Sequence, residues 1–129
     1  MKSALTLKQT LLVALVIFGA LQFVPADRTN PPVESPRIGS ENAMKLFRRA
    51  CFDCHSNETD WPWYAKVAPV SWLVIRDVNR ARAKLNFSTW NRYPVSEQDQ
   101  LKEDIWKHVR NGDMPPPFYV LGNPEGQVT

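Results

Sequence analysis

Cysteine occurs twice in this 129-residue chain, and both copies fall inside one pentapeptide, Cys51-Phe52-Asp53-Cys54-His55. Nothing else constrains the chain as tightly. Three chemistries use two thiols set two residues apart: a redox disulfide, a zinc site, and covalent attachment of haem. Each requires a different fold around the motif, so the rest of the sequence has to select among them.

The N-terminus places the motif in a compartment. Lys2 and Lys8 precede an apolar run from Leu11 to Val24, interrupted by Gln22 and small residues. A positive segment followed by a short apolar one is the layout of an export signal. Val24-Pro25-Ala26 offers small residues for cleavage after Ala26, and the same run read as uncleaved is a membrane anchor. Residues 1–26 are therefore expected to be a signal peptide or an anchor. Either form puts the remainder outside the cytoplasm, in the periplasm, because lysines ahead of an apolar run hold that end inside. The formal charge of +3 suggests nucleic acid at first sight. Setting aside the two leader lysines leaves 14 basic residues against 13 acidic. A nucleic-acid binder carries a stronger basic excess on its folded part.

Residues 27–39, rich in proline, are expected to be an extended linker holding the domain off a membrane. The domain itself is expected over 40–129. Ser40 is placed to cap a short helix that delivers Cys51, with Ala43, Met44 and Phe47 on its inner side. A second helix is predicted from Pro69 to about Leu85, burying Val74, Val78, Ala81 and Leu85. Arg76, Arg80 and Lys84 form a basic stripe on another face. "NFSTW" breaks this pattern. A third helix is predicted from a Ser96 cap, with Leu101, Ile105 and Val109 inward and Gly112 ending it. No segment alternates as a strand, so the fold class is all-α.

The absence of strands removes the thioredoxin setting that a redox Cys-x-x-Cys needs. A disulfide between Cys51 and Cys54 would close a tiny loop and contribute little. Zinc would need Cys51, Cys54, His55 and His108 together, with His55 folding back past its neighbour. Haem attachment uses every part of the motif: each thiol adds to one vinyl group and His55 binds iron. Export supports it independently, since that attachment occurs outside the cytoplasm in bacteria. The candidates for a sixth iron ligand are Met114, in "GDMPPPFY", and His108 on the third helix, the remaining option being an open position. The prolines after Met114 fix its backbone, and Met44 is expected in the core. Trp61 and Trp63, directly after the motif, are the expected haem contacts among the aromatic residues.

The runs "CFDCHSNETDWPWYAKVAPVSWLVIRDVNRARAKLNFSTW" and "GDMPPPFY" resemble the bacterial haem-binding domain family of small exported proteins with one c-type motif. The resemblance covers nearly everything from Ala43 to Tyr119 and rests on "CHSNETDWPWY" more than on the pentapeptide. It implies thioether bonds at Cys51 and Cys54, a proximal ligand at His55 and a distal one at Met114. The layout is similar to cytochrome c. Two departures stand out: Ala81 where the family often has Gly, and Asn123-Pro124 where it tends to have His-Pro.

The expected molecule is thus a small cytochrome c-like helical domain around one covalently bound haem c, preceded by an apolar helix. It would carry single electrons between unidentified redox proteins and would not be an enzyme. A gas sensor or a peroxidase-associated haem domain would require an open sixth position. One of Arg76, Arg80 and Arg82 is expected to neutralise a haem propionate or face an acidic partner.

Overall fold

The computed structural model describes residues 6–34 and 38–128, and these form helices and connecting loops, with no strand among them. The α-helices are α1 (Leu7–Leu21), α2 (Glu41–Ala50), α3 (Phe52–His55), α4 (Val70–Lys84), α5 (Val95–Arg110) and α6 (Pro117–Gly122). Three 3-10 turns lie between or after them, at Trp63–Lys66, Phe87–Arg92 and Pro124–Gly126. The all-α class read from the sequence is therefore observed among the described residues.

The chain divides into two compact units. The first comprises the described residues up to Arg28 together with Trp61–Arg76. Its α1 is an exposed apolar helix whose start is fixed by a reciprocal cap between Thr6 and Gln9. At 15 residues it spans roughly 22 Å, against roughly 30 Å of bilayer hydrocarbon. No described helix is long and apolar enough to cross a membrane. Gln22, the polar interruption of the apolar run, has a specific task. Its amide donates to the Ala68 carbonyl (3.1 Å) and accepts from the Ala68 N–H (3.0 Å), satisfying both backbone groups of one residue. Arg28 donates to the Ala65 carbonyl at 3.3 Å.

The second unit holds the described residues of 29–60 and 77–128. Its core is aromatic. Phe87, 1% exposed, stacks on Phe47, Phe52 and Trp90 with ring centroids 5.0, 5.5 and 6.2 Å away. Met44, Leu85, Leu101 and Ile105 pack around this stack, and Ile38 is buried within it. Offset aromatic pairs of this kind add about 0.5–1.5 kcal/mol each beyond the area they bury. "NFSTW", read from sequence as a break, is the centre of the core: Asn86 Oδ1 caps the 3-10 turn at the Ser88 N–H (2.9 Å), which carries Phe87 and Trp90 inward.

Several boundaries hold. Ser40 Oγ accepts from the Ala43 N–H (3.3 Å), and Met44 and Phe47 face the core. Gly112 takes a φ of +78°, ending α5 in the left-handed conformation that costs glycine least. Other expectations need correction. Helix α5 begins at Val95 after Pro94, and Ser96 lies inside it, because the Pro94 carbonyl already accepts the first helical bond, from the Gln98 N–H at 2.9 Å. The buried stripe of α4 runs through Ser71, Ile75 and Val78, with Val74, Ala81 and Leu85 only half buried. Of the segment predicted as a free linker, Arg28 is bonded within the first unit, and residues 29–34 are fastened within the second by the contacts given below.

Candidate functional site

The pentapeptide folds as one tight turn. Cys51 ends α2, and its carbonyl accepts from the N–H groups of Cys54 (3.2 Å) and His55 (2.8 Å). Both thiols are therefore carried on the same turn as the imidazole, and both are free. Burial, with Cys54 close by, pushes the Cys51 thiol up to about 11. Burial and then the Asp53 and Asp77 carboxylates push Cys54 up to about 11, against a partial offset from Arg82. At neutral pH both sulfurs keep their protons, unlike the thiolate of a redox-active Cys-x-x-Cys.

His55 is held by its ring. Nδ1 lies 3.0 Å from the Leu85 carbonyl oxygen, an acceptor only, so Nδ1 carries the proton and Nε2 keeps its lone pair. Burial lowers the imidazole pKa, and Lys84 adds to that, outweighing the bonds to the Leu85 and Ala81 carbonyls. A neutral imidazole with one nitrogen anchored to a carbonyl and the other unprotonated is the state in which histidine ligates iron. The residues fit a haem on this ground. They do not fit the four-ligand zinc site: among the described residues no three of His, Cys, Asp and Glu form a metal-holding group.

The loop after His55 is braced by buried polar groups, which accounts for the run "HSNET". Ser56 Oγ donates to the Phe52 carbonyl (2.7 Å) and accepts from the Glu58 N–H (2.9 Å). Asn57 accepts from Asn86 Nδ2 (2.8 Å), donates to the Pro32 carbonyl (2.8 Å), and gives its N–H to Ser88 Oγ (2.8 Å). Thr59 Oγ1 donates to the Asp53 carbonyl at 2.8 Å. Across this loop lies the strap 29–34. Asn30 donates to the Thr59 carbonyl (2.9 Å), the Glu34 N–H donates to Ser88 (2.8 Å), and Glu34 pairs with Arg92. A spacer is thus replaced by a bound strap, because its carbonyls and amides find donors and acceptors on the loop.

Arg82 joins strap to loop. Its guanidinium donates to Ser56 O (2.7 Å), Thr29 O (3.0 Å), Asn30 Oδ1 (2.8 Å) and Thr59 Oγ1 (2.8 Å). Of the three arginines among which one is expected to meet a propionate or a partner, Arg82 directs these donors at the protein. Arg76, Arg80 and Lys84 are exposed.

Of the other predicted site residues, Met114 follows the end of α5 and is 39% exposed. Its N–H donates to the His108 carbonyl at 3.2 Å. It borders an apolar hollow with Val109, Pro115, Val120 and Leu121. His108 does not lie on the inner face of α5. Its ring is exposed and pairs with Asp113 at 3.1 Å. Met44 is engaged in the core, its sulfur 3.1 Å from the Ile38 N–H. Trp61 is half buried and Trp63 is 75% exposed, and both belong to the first unit while the pentapeptide belongs to the second. The sequence reading missed Ser56, Asn57, Thr59, Asn86, Ser88 and the bracing role of Arg82. Their density of short polar residues beside the motif was the available signal.

No curated protein and no solved structure matches the chain. The family model described as a haem-binding domain matches residues 16–129. With the neutral, anchored His55 and the two free thiols of one turn, that match supports a haem cofactor, and the chain belongs to the haem-binding domain family.

Proposed function

We propose that the chain is an exported c-type cytochrome with one haem, a carrier of single electrons for a redox partner in the periplasm. The observation that carries this reading is the His55 ring, anchored through Nδ1 to the Leu85 carbonyl, on the same turn as two protonated thiols. Bound haem supplies an iron that alternates between ferric and ferrous states. Cys51 and Cys54 would hold it by adding S–H across two vinyl groups, carbon taking both sulfur and proton, with no oxidant consumed. His55 would supply the proximal nitrogen. Met114 would supply the distal sulfur, an uncharged ligand that raises the potential relative to a second histidine. Trp61 and Trp63 are proposed as contacts of the ring's edge. The lysine-led apolar α1 and the preceding residues support export and a membrane-side location.

The test is to produce the full chain with haem-maturation machinery in a bacterial periplasm. Haem that stays with the chain on a denaturing gel, and is lost in Cys51→Ala/Cys54→Ala, is the expected result. An Fe–Met charge-transfer band unaffected by carbon monoxide would identify the electron carrier. A haem that binds carbon monoxide immediately would favour a ligand sensor or a peroxidase-associated domain. No covalent haem would overturn the proposal.

A further inference from the structure

Asp53 sits between the two cysteines in sequence, and its carboxylate meets the C-terminal part of the chain. Its Oδ2 accepts a 2.7 Å hydrogen bond from the Tyr119 hydroxyl, while Oδ1 accepts from the Asp60 N–H at 3.2 Å. The Arg49 carbonyl, 3.4 Å from the same hydroxyl, is a weaker second acceptor. A second contact closes on the ring. Gly126 is buried against it, and a Cβ added there would lie 2.8 Å from Tyr119 Cε1 and 3.4 Å from the Arg49 carbonyl. Only glycine allows the terminal turn to close onto the phenol so closely. Tyr119 is therefore clamped between the motif turn and the Pro124–Gly126 turn.

Tyr119 lies five positions after Met114, and the intervening residues include Pro115, Pro116 and Pro117, the last being the first residue of α6. Each proline locks its own φ, so the path between the thioether and the clamp is stiff. At its other end, Met114 is tied to α5: the His108 carbonyl accepts from the N–H groups of Asp113 (2.9 Å) and Met114 (3.2 Å). Loosening either tie would let this segment pivot about the other.

We propose that Tyr119 is a positioning residue for the iron's distal ligand: through Asp53 it registers the Met114 segment against the turn that carries Cys51, Cys54 and His55. This rests on the reading of Met114 as the sixth ligand. The middle residue of the pentapeptide then has a defined role, linking the proximal side of the site to the distal one.

The test uses full-length haem-loaded protein, wild type against Tyr119→Phe, Gly126→Ala, Asp53→Ala and Asp53→Asn. Two readouts are taken well below the melting temperature: the ferric Fe–Met band and the rate of carbon monoxide binding to ferrous protein. That rate reports how often the sulfur is detached. Removing a charge-assisted bond should raise the detached population about tenfold or more. Tyr119→Phe and Gly126→Ala should both weaken the band and speed carbon monoxide binding. Asp53→Asn, which keeps an acceptor, should be milder than Asp53→Ala. A merely structural role would lower the melting temperature and leave both readouts unmoved. A wild-type band that survives Tyr119→Phe, with an unchanged rate, overturns the positioning role alone. A wild-type protein without the band overturns the Met114 assignment and the positioning role together, before any variant is made.

Discussion

Arg82→Ala should be the most damaging single truncation of a surface-reaching side chain in this protein. Four acceptors lose a donor at once. They are not equal. Thr29 and Asn30 lie on the solvent side, and water can replace the guanidinium there. Ser56 is wholly buried and Thr59 is 6% exposed, so the Ser56 carbonyl and the Thr59 hydroxyl are left without a replacement. An unsatisfied buried acceptor costs about 1–3 kcal/mol, and bonds from a charged donor stand at the upper part of that range. The expected loss is about 3–4 kcal/mol, a fall in melting temperature on the order of 10 °C for a domain of this size. Arg82→Lys retains the charge but has no planar fork, cannot reach four acceptors together, and should lose about half as much. The assay is thermal unfolding followed by circular dichroism, with Arg80→Ala, an exposed arginine of the same helix, as the control. A variant Arg82→Ala within about 1 kcal/mol of wild type, or no worse than Arg80→Ala, would refute the account of the strap as a bonded element.

Phe87→Ala removes the ring on which three others stack and should cost about 3–5 kcal/mol, read as a fall in the unfolding midpoint. Asn57→Ala should cost about 2–3 kcal/mol and selectively speed hydrogen exchange of the Glu34 N–H, since the strap loses its bond to the Asn57 amide. Burial and the bond to Asp53 raise the Tyr119 pKa above the ordinary 10.0. The folded state therefore keeps a proton that the unfolded chain releases, so this stabilisation is complete below pH 10 and declines as pH rises beyond it. The ring-carbon NMR signal of Tyr119 should accordingly not titrate between pH 7 and 11 in folded protein; a shift centred near pH 10 would refute this.

The helices were legible because their signals are local. Ser40 caps through its own side chain three residues on, and Gly112 needs its left-handed φ whatever surrounds it. The motif turn was legible for the same reason. The strap, the arginine hub and the aromatic centre were not. Each depends on pairing between residues far apart in sequence: Arg82 with Thr29, Asn57 with Asn86, Phe47 with Phe87. Proline-rich composition is shared by free linkers and bound straps, so it could not separate them.

The anchor of His55 has a consequence for the order of events in biogenesis. Leu85 lies thirty residues beyond the imidazole it fixes, and several braces on the following loop come from residues 82 onward, from Arg82, Asn86 and Ser88. On the proposed reading, a chain exported from its N-terminus would present the two thiols before Leu85 arrived. During that interval either ring nitrogen is free to carry the proton. Selection of one tautomer is thus a late event, made by closure of the whole unit and not by the pentapeptide. Were haem attached as proposed, the step that needs accessible sulfur would come before the step that needs a committed imidazole, because the carbonyls that hold the ring lie at Ala81 and Leu85.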